Sequence, residues 1–218
     1  MEHDALLEIS ELFYSIQGES SYAGYPCFFI RFAGCNLRCN YCDTRYAYEG
    51  ECRPYPISHI LAEVDNYPGV LVELTGGEPL LQEGVYPLFT RLLAAGRTVL
   101  LETNGSVGLE GVPKDVVKIM DMKCPGSGMH EKMNFDNFAF MTPKDEIKFV
   151  ISSREDYNWA AQLVRTNTLH NKATVTFSPV VSVLPPASLA AWLLADRLPV
   201  RLRLQLHAIL WPDKTKGY

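Results

Sequence analysis

Residues 35–42 read CNLRCNYC and carry three cysteines at the spacing Cys-x3-Cys-x2-Cys, directly behind the apolar run FFIRFAG of residues 28–34. The apolar run predicts a β-strand, and a strand that ends at Gly34 delivers the cysteines onto a loop at its carboxyl end, where α/β proteins place their chemistry. Three thiolates are one ligand short of the four that a zinc site or a cubane iron–sulfur cluster needs. If substrate or cofactor fills the fourth position, the site is open and catalytic; if another cysteine fills it, the site is closed and structural.

The composition is that of an ordinary globular protein. The 218 residues suit one domain, and 47% of them are apolar and 21% charged. The acidic first 12 residues do not resemble a signal peptide, and no apolar run approaches the about 18 residues of a membrane span. The net charge of −5 argues against a nucleic-acid surface, so small molecules are the expected partners. We expect a reducing, cytoplasmic compartment, so the even count of six cysteines does not imply disulfides.

Extended and helical segments alternate after the cysteine loop, which predicts βα units and a largely parallel sheet. Predicted strands cover residues 70–75, 98–103, 116–122, 146–151 and 173–177, and predicted helices cover residues 80–95, 152–169 and 185–194. Residues 125–142 lack periodicity and predict a long functional loop in place of a helix. Strict alternation over residues 201–207 predicts an edge strand.

This strand count favours an α/β fold of the incomplete (β/α)6 type, a TIM-like partial barrel with a reduced helix complement. A flat doubly wound sheet stays open as an alternative, although no Gly-x-Gly-x-x-Gly follows the first strand. We expect a single domain, residues 1–218, in which residues 1–26 are an N-terminal extension, residues 27–200 the partial barrel, and residues 201–218 the edge strand and tail.

The other cysteines do not supply an obvious fourth ligand. Cys27 lies in an apolar strand, Cys52 lies in a polar segment, and Cys124 is distant in sequence. Short Cys-x2-Cys pairs are most often structural zinc sites, so a zinc-stabilised binding module is the non-enzymatic interpretation. Three closely spaced cysteines without a fourth cysteine ligand favour a cluster with one position open to substrate or cofactor.

The cysteine spacing, together with a strand that ends in GGEP at residues 76–79, resembles the radical S-adenosylmethionine (SAM) superfamily. In that superfamily three cysteines hold a 4Fe–4S cluster, and the methionine amino and carboxylate groups of SAM chelate the fourth iron. Reductive cleavage of SAM then yields a 5′-deoxyadenosyl radical. The resemblance implies that the cluster ligands are Cys35, Cys39 and Cys42.

A narrower resemblance is to the 7-carboxy-7-deazaguanine synthase family. It is carried by FYSIQGES at residues 13–20, FIRFAGCNL at 29–37, CDT at 42–44, TGGEP at 75–79 and ETNG at 102–105. That family converts 6-carboxy-5,6,7,8-tetrahydropterin to 7-carboxy-7-deazaguanine with loss of ammonia, on the route to queuosine and other deazapurines. Each segment is a weak signal alone, but five in the right order over nearly the whole chain are strong.

The resemblance implies roles for individual residues. The implied SAM contacts are Tyr41, Cys42, Asp43, Gly76, Gly77, Glu78, Asn104, Lys123, Cys124, Pro125 and Ser178. The implied substrate contacts are Ile16, Gln17, Gly18, Glu19, Arg31, Thr75, Glu102, Gln205 and Tyr218. Thr44 is the implied Mg²⁺ ligand, and Glu102 and Thr44 are the implied catalytic residues.

Physical chemistry supports some of these roles. The Arg31 guanidinium suits a two-pronged contact to the substrate carboxylate. Glu19 or Glu102 can accept hydrogen bonds from the amino-pyrimidine edge of a pterin, although a strand-end salt bridge is the competing interpretation for Glu102. The tail at residues 216–218 resembles a family segment that folds over the substrate, but Ala208 replaces a lysine that many relatives carry.

The resemblance also implies an electron donor of the flavodoxin or ferredoxin type and a homodimer. A glycyl-radical-enzyme activating protein is the second enzymatic interpretation; it would act on a protein and leave residues 16–19 and Arg31 without a purpose. His59, His130 and His207 have no metal-ligand spacing, so we expect ordinary surface or core histidines.

Overall fold

Nine β-strands and six α-helices occur in residues 4–214, 216 and 217, the part of the chain that the computed structural model describes. The strands are β1 (Leu6–Ile16), β2 (Pro26–Phe32), β3 (Arg53–Pro56), β4 (Leu71–Gly76), β5 (Val99–Thr103), β6 (Val117–Met122), β7 (Glu146–Ile151), β8 (Thr174–Pro179) and β9 (Arg201–Leu202). The helices are α1 (Tyr46–Glu49), α2 (Ile57–Asp65), α3 (Val85–Ala94), α4 (Arg154–Thr166), α5 (Pro186–Asp196) and α6 (Leu206–Leu210).

All nine strands form one sheet in the order β3-β1-β2-β4-β5-β6-β7-β8-β9. β2 and β4 to β9 run parallel, whereas β1 is antiparallel to both of its neighbours. Among the described residues β3 and β9 do not pair with each other, so the sheet stays open. This order confirms the predicted largely parallel, incomplete barrel.

The parallel strands are apolar because helices cover their outer face. Leu88, Phe89 and Leu92 of α3 are fully buried and belong to the same core as Phe32 of β2. α4 begins where its sequence predicts, because the Ser153 side chain accepts a hydrogen bond from a backbone N–H of the first turn. The result is a rigid outer layer that leaves the inner face of the sheet for chemistry.

The helix complement is reduced, as predicted. The fully described segments 104–116 and 123–145, which join β5 to β6 and β6 to β7, contain no α-helix. The second segment instead holds three 3-10 turns, at Pro125–Ser127, His130–Lys132 and Phe135–Ala139. The expected long loop at residues 125–142 is therefore confirmed.

The edge strand predicted over residues 201–207 is wrong beyond Leu202. The chain leaves the sheet after Leu202 and forms α6, and the Leu206 backbone N–H donates to the Gly18 carbonyl at 2.8 Å. Alternation alone could not predict this, because the partner is the loop after β1. The helix predicted from residue 80 also starts later: a 3-10 turn at Pro79–Leu81 precedes α3.

β1 and β3 are additional to the predicted strands. The pairing of β1 with β2 shifts register between Ile9 and Glu11, and this irregularity breaks the period-2 pattern that identifies strands in a sequence. Across residues 4–214, 216 and 217, no helix is long and apolar enough to cross a membrane.

Candidate active site

A cavity of about 520 Å³ opens at the carboxyl ends of the parallel strands. Its wall is built from the ends of β2, β4, β5, β6 and β7, the cysteine loop, the loop after β1, the segment after β8, and α6. The prediction that the cysteine loop opens at the carboxyl edge of the sheet is therefore confirmed.

Most of the predicted site residues share this cavity. Its lining includes Cys35, Cys39, Tyr41, Cys42, Asp43 and Thr44 from the cysteine loop, Gly76, Gly77, Asn104 and Lys123 from the strand ends, and Ile16, Gln17, Gly18, Glu19, Arg31, Thr75, Glu102 and Gln205 from the expected substrate site. Four expected SAM contacts lie outside the lining, namely Glu78, Cys124, Pro125 and Ser178. Tyr218 lies outside the described residues.

The end of β4 is locked to the start of the cysteine loop. The Gly77 N–H donates to the Phe32 carbonyl at 3.0 Å, and the Glu78 N–H donates to the Gly34 carbonyl at 2.8 Å. A Cβ atom on Gly77 would lie 1.8 Å from the Gly34 oxygen. Only glycine permits this approach, so Gly77 fixes where the cysteines begin.

Glu78 does not line the cavity, but it binds residues that do. Its buried carboxylate accepts hydrogen bonds from the Asn104 N–H at 2.7 Å and from the Thr103 hydroxyl at 2.9 Å. Burial raises the pKa of Glu78 to about 7. The side chain therefore joins the ends of β4 and β5 and holds the backbone of Asn104.

The three cysteines are free thiols that are neither buried nor fully exposed. Asn104 Nδ2 donates to Cys35 Sγ at 3.7 Å, the Cys42 N–H donates to the Cys39 carbonyl at 3.3 Å, and burial raises the pKa of Cys39 to about 11. In the described part of the chain, no three His, Cys, Asp or Glu side chains are grouped around a position for a single metal ion. A 4Fe–4S cluster is held by thiolates on different irons, and three thiols on one wall of a cavity provide that donor set.

A lysine that the sequence analysis missed lies on the floor of the cavity. Lys148 of β7 places Nζ 2.6 Å from Glu19 Oε2, 2.6 Å from Glu102 Oε1 and 3.4 Å from Asp121 Oδ2. Burial opposes the charge of Lys148, but Glu102 and Glu19 raise its pKa well above the usual value. Burial likewise opposes ionisation of Glu19 and Glu102, yet the Lys148 ammonium lowers the pKa of both. We call Glu19 and Glu102 the carboxylate pair.

Glu73 is a second missed residue of the floor. Gln17 Nε2 donates to Glu73 Oε2 at 2.6 Å, and the Gln17 side-chain oxygen accepts from the Glu19 N–H. Burial, followed by repulsion from Glu102, raises the pKa of Glu73 to about 8. A protonated Glu73 thus orients Gln17 without adding a charge.

Arg31 is held along one edge of its guanidinium. Nε donates to Glu11 Oε2 at 3.2 Å, and the group lies 5.4 Å from the ring centroid of Phe13 and 5.7 Å from that of Tyr46. The tail comes near as well, because Lys216 Nζ lies 4.6 Å from the Tyr46 ring centroid. Among the described residues only Nε of Arg31 contacts Glu11, and the arginine is part of the cavity lining.

Three further side chains of the cavity lining, those of Tyr41, Thr44 and His207, have defined neighbours. The Tyr41 hydroxyl donates to the Val150 carbonyl at 3.2 Å, and Thr44 Oγ1 donates to Asp43 Oδ1 at 2.8 Å. His207, expected to be an ordinary histidine, lines the cavity, and a Cβ on Gly18 would lie 2.5 Å from its Nδ1. Gly18 therefore admits α6 to the site.

Three buried side-chain oxygens have no hydrogen-bond partner within the described chain. They are Asp121 Oδ1, in the cavity lining, and Ser178 Oγ and Glu146 Oε2, outside it. A bound group with donors would satisfy such an acceptor. The thiols and the unpaired acceptor together fit a cofactor of the expected kind.

The fold and the cysteine-lined cavity define a radical SAM enzyme, and the sequence pattern of the Radical SAM superfamily matches residues 29–124. Membership of this superfamily implies a 4Fe–4S cluster and SAM. The chain belongs, within it, to the 7-carboxy-7-deazaguanine synthase family.

The relatives cover the chain from end to end. The 7-carboxy-7-deazaguanine synthase of Koribacter versatilis is 47% identical over 97% of this chain and 100% of its own length. That of Chlorobaculum tepidum is 43% identical over 100% of both chains. The crystal structure of QueE from Escherichia coli superposes with a TM-score of 0.77 at 22% identity, over 93% of this chain and 95% of that one, which supports the fold. Membership confirms the predicted resemblance and decides against the zinc module and the glycyl-radical activating protein.

Proposed function

We propose that this chain converts 6-carboxy-5,6,7,8-tetrahydropterin to 7-carboxy-7-deazaguanine and ammonia. The observation that carries the proposal is one cavity in which three groups meet: the three cysteines, an arginine held to Glu11 through Nε, and an ionised carboxylate pair. These groups match a cluster, a substrate carboxylate and the N–H donors of a pterin, respectively.

Cys35, Cys39 and Cys42 would hold the cluster. When bound, the cluster and SAM supply a carbon-centred 5′-deoxyadenosyl radical that abstracts a hydrogen atom. The proposed SAM contacts in the cavity lining are Tyr41, Cys42, Asp43, Asn104, Lys123 and the backbone of Gly76 and Gly77. Glu78, Cys124, Pro125 and Ser178 lie outside the lining, and Glu78 would act through the Asn104 N–H that it holds.

Arg31 would bind the substrate carboxylate through its terminal nitrogens, because Glu11 already occupies Nε. The carboxylate pair would accept from the 2-amino and ring N–H groups of the pterin. Ile16, Gln17, Gly18, Thr75 and Gln205 line the surrounding wall. Tyr218, outside the described residues, is proposed as a substrate contact on the family resemblance alone. Glu102, which touches both Thr75 and Lys148, would be the catalytic carboxylate.

Mg²⁺ is proposed to bind at Thr44. The Thr44 hydroxyl donates its hydrogen bond to Asp43, so its oxygen lone pairs are available to a hard cation beside the cavity. The ion would keep water molecules in its other positions, as Mg²⁺ commonly does in proteins. In this role Thr44 would orient the substrate carboxylate.

Other expected properties rest on the family resemblance. We propose a single-domain chain that works in the cytoplasm, takes its electron from a flavodoxin or ferredoxin and forms a homodimer. Neither a nucleic acid nor a membrane is proposed as a partner.

The test is a substrate comparison under anaerobic conditions, with reductant, SAM and Mg²⁺. One substrate is the carboxytetrahydropterin, and the matched control is the tetrahydropterin without the carboxylate. We expect a deazapurine from the first and none from the second, because Arg31 then has no anion to bind. Equal conversion of both would refute the proposed role of Arg31, and conversion of neither by cluster-loaded protein would refute the proposed reaction.

A further inference from the structure

Each member of the carboxylate pair is fixed at both oxygens. Glu19 Oε2 contacts Lys148 at 2.6 Å, and Glu19 Oε1 accepts from Gln205 Nε2 at 2.8 Å. Glu102 Oε1 contacts Lys148 at 2.6 Å, and Glu102 Oε2 accepts from Thr75 Oγ1 at 2.9 Å. One ammonium thus bridges two carboxylates that come from distant parts of the chain.

We propose that Lys148 is the positioning residue that holds Glu19 and Glu102 as a fixed pair of hydrogen-bond acceptors for the amino-pyrimidinone edge of the substrate. The inference rests on the proposed function and deepens it. Lys148 acts through the pair: an ammonium carries three donors and no acceptor, and close contacts to Glu19, Glu102 and Asp121 engage it.

The pair needs a cation because it is desolvated. Lys148 has 5% of its side chain exposed, against 15% for Glu19 and 28% for Glu102. Two carboxylates bridged by one group cannot both stay ionised in such a place unless a positive charge offsets them. Without Lys148 one of them takes up a proton, and a protonated carboxyl presents a donor where the pterin also presents a donor.

Other charged groups around the pair do not replace Lys148. The charged and titratable groups that act on it from neighbouring elements are Glu73 of β4, Asp121 of β6, Lys123 directly after β6, and His207 of α6. Lys123 is engaged by Asp121 at 2.9 Å, and Glu73 is neutral below its pKa of about 8. His207 acts on Glu19, but together with Lys123 it still leaves fewer cations than the three carboxylates of Glu19, Glu102 and Asp121. Loss of Lys148 therefore leaves an excess of negative charge at the floor.

The experiment compares Lys148→Met with Lys118→Met. Lys118 is also buried and also pairs with a buried carboxylate, Asp145, at 3.0 Å, but it does not line the cavity. Substrate binding is measured by anaerobic titration calorimetry with 6-carboxy-5,6,7,8-tetrahydropterin on protein that carries cluster and SAM. The range is pH 6 to pH 7.5, below the pKa of about 8 of Glu73. Thermal unfolding is measured in parallel.

For Lys148→Met we expect binding about 10- to 100-fold weaker at pH 7, the range for loss of a hydrogen bond to a charged group. Binding should recover as the pH rises, because the extra proton leaves the pair. Wild type and Lys118→Met should share one pH profile without this rise, although Lys118→Met also lowers the melting temperature. The double variant Lys148→Met/Glu102→Gln should lose the pH-dependent recovery, since only one carboxylate remains.

Three outcomes are decisive. A Lys148→Met profile that parallels wild type at every pH would overturn the role of Lys148 while the proposed function stands. If Lys148→Met does not fold, the double variant decides, because a persisting pH-dependent recovery there would also overturn it. Wild-type protein that binds no carboxytetrahydropterin would refute the proposed function, and with it the ligand assigned to the pair.

Discussion

Replacing Gly77 by alanine should disconnect the cysteine loop from β4. The added Cβ would lie 1.8 Å from the Gly34 oxygen, 2.4 Å from the Gly34 carbonyl carbon and 3.0 Å from the Cys35 nitrogen. The φ angle of Gly77 lies outside the left-handed region, so the cost is steric. In the variant, the segment at Gly77 and the segment at Gly34 must move apart to relieve this overlap. The movement would weaken the hydrogen bonds that the Gly77 and Glu78 N–H groups donate across the junction.

The magnitude follows from these contacts. Overpacking of a close junction costs about 1–3 kcal/mol, and weakening two backbone hydrogen bonds adds about 1 kcal/mol. The two costs add to about 2–4 kcal/mol, and at roughly 2–4 °C per kcal/mol for a chain of this size the melting temperature should fall by about 4–16 °C. Iron bound after anaerobic reconstitution should fall as well, because Cys35 follows the displaced carbonyl.

The assay is thermal unfolding of the apoprotein, together with iron analysis of reconstituted protein. Gly96→Ala is the matched control: its Cβ meets nothing within 4 Å, and only its φ of +73° opposes alanine. That strain costs about 1 kcal/mol, or roughly 3 °C, and should leave iron content unchanged. If the two variants melt alike and bind equal iron, the reasoning about the junction is wrong.

Four further predictions concern single groups. Burial raises the pKa of Glu73 from 4.5 to about 8, so the folded chain binds a proton that the unfolded chain releases, and stability falls as the pH rises between these values. Glu73→Gln should therefore melt progressively higher than wild type from pH 5 to pH 8, with a constant difference above that; a pH-independent difference would contradict the assignment. Thr44→Ala should slow product formation at least about 10-fold more than SAM cleavage, and Thr44→Ser should restore much of it; equal loss of both rates would speak against the metal site. Arg31→Lys should raise KM for the carboxytetrahydropterin about 10- to 100-fold in steady-state assays, since an ammonium cannot make the two-pronged contact; an unchanged KM would exclude that contact. Asp156, fully buried, accepts from the Gly126 N–H at 2.7 Å and the Ser152 hydroxyl at 2.6 Å, so Asp156→Ala should lower the melting temperature by about 6 °C or more; a shift under 2 °C would show that neither bond matters.

The cysteine loop was predictable because its information is local. Spacing and the apolar run before it specify a strand, a loop and a donor set within 15 residues, 28–42. The strand ends that contribute Thr75, Glu102 and Asn104 were predictable for the same reason. Each follows an apolar run that stops at a polar residue, and parallel strands end at one edge of a sheet.

The floor of the cavity was not predictable in this way, although a signal exists. Glu73, Asp121 and Lys148 each interrupt an otherwise apolar strand, which is unusual for a side chain that must be buried. Which charges meet depends on register between strands, and Asp121 lies opposite Lys148 only because β6 pairs with β7 as it does. Sequence patterns carry no such register for parallel strands.

The same limit explains the misassigned tail. Residues 201–207 do alternate, but a strand needs a partner, and of these residues only Arg201 and Leu202 pair with β8. Beyond them the Gly18 carbonyl offers Leu206 a hydrogen bond, and α6 brings Gln205 and His207 to the cavity. The hydrogen bond from Leu206 to Gly18 joins segments that are distant in sequence, so a local sequence pattern cannot predict that a helix begins here.

The most direct test of the central claim is identification of the product formed by anaerobically reconstituted wild-type protein. With reductant, SAM, Mg²⁺ and 6-carboxy-5,6,7,8-tetrahydropterin, mass spectrometry and ammonia analysis should find 7-carboxy-7-deazaguanine and ammonia in equal amounts. Cys39→Ala, prepared in parallel, should form neither. Protein with an intact cluster that cleaves SAM yet forms no deazapurine would contradict the account.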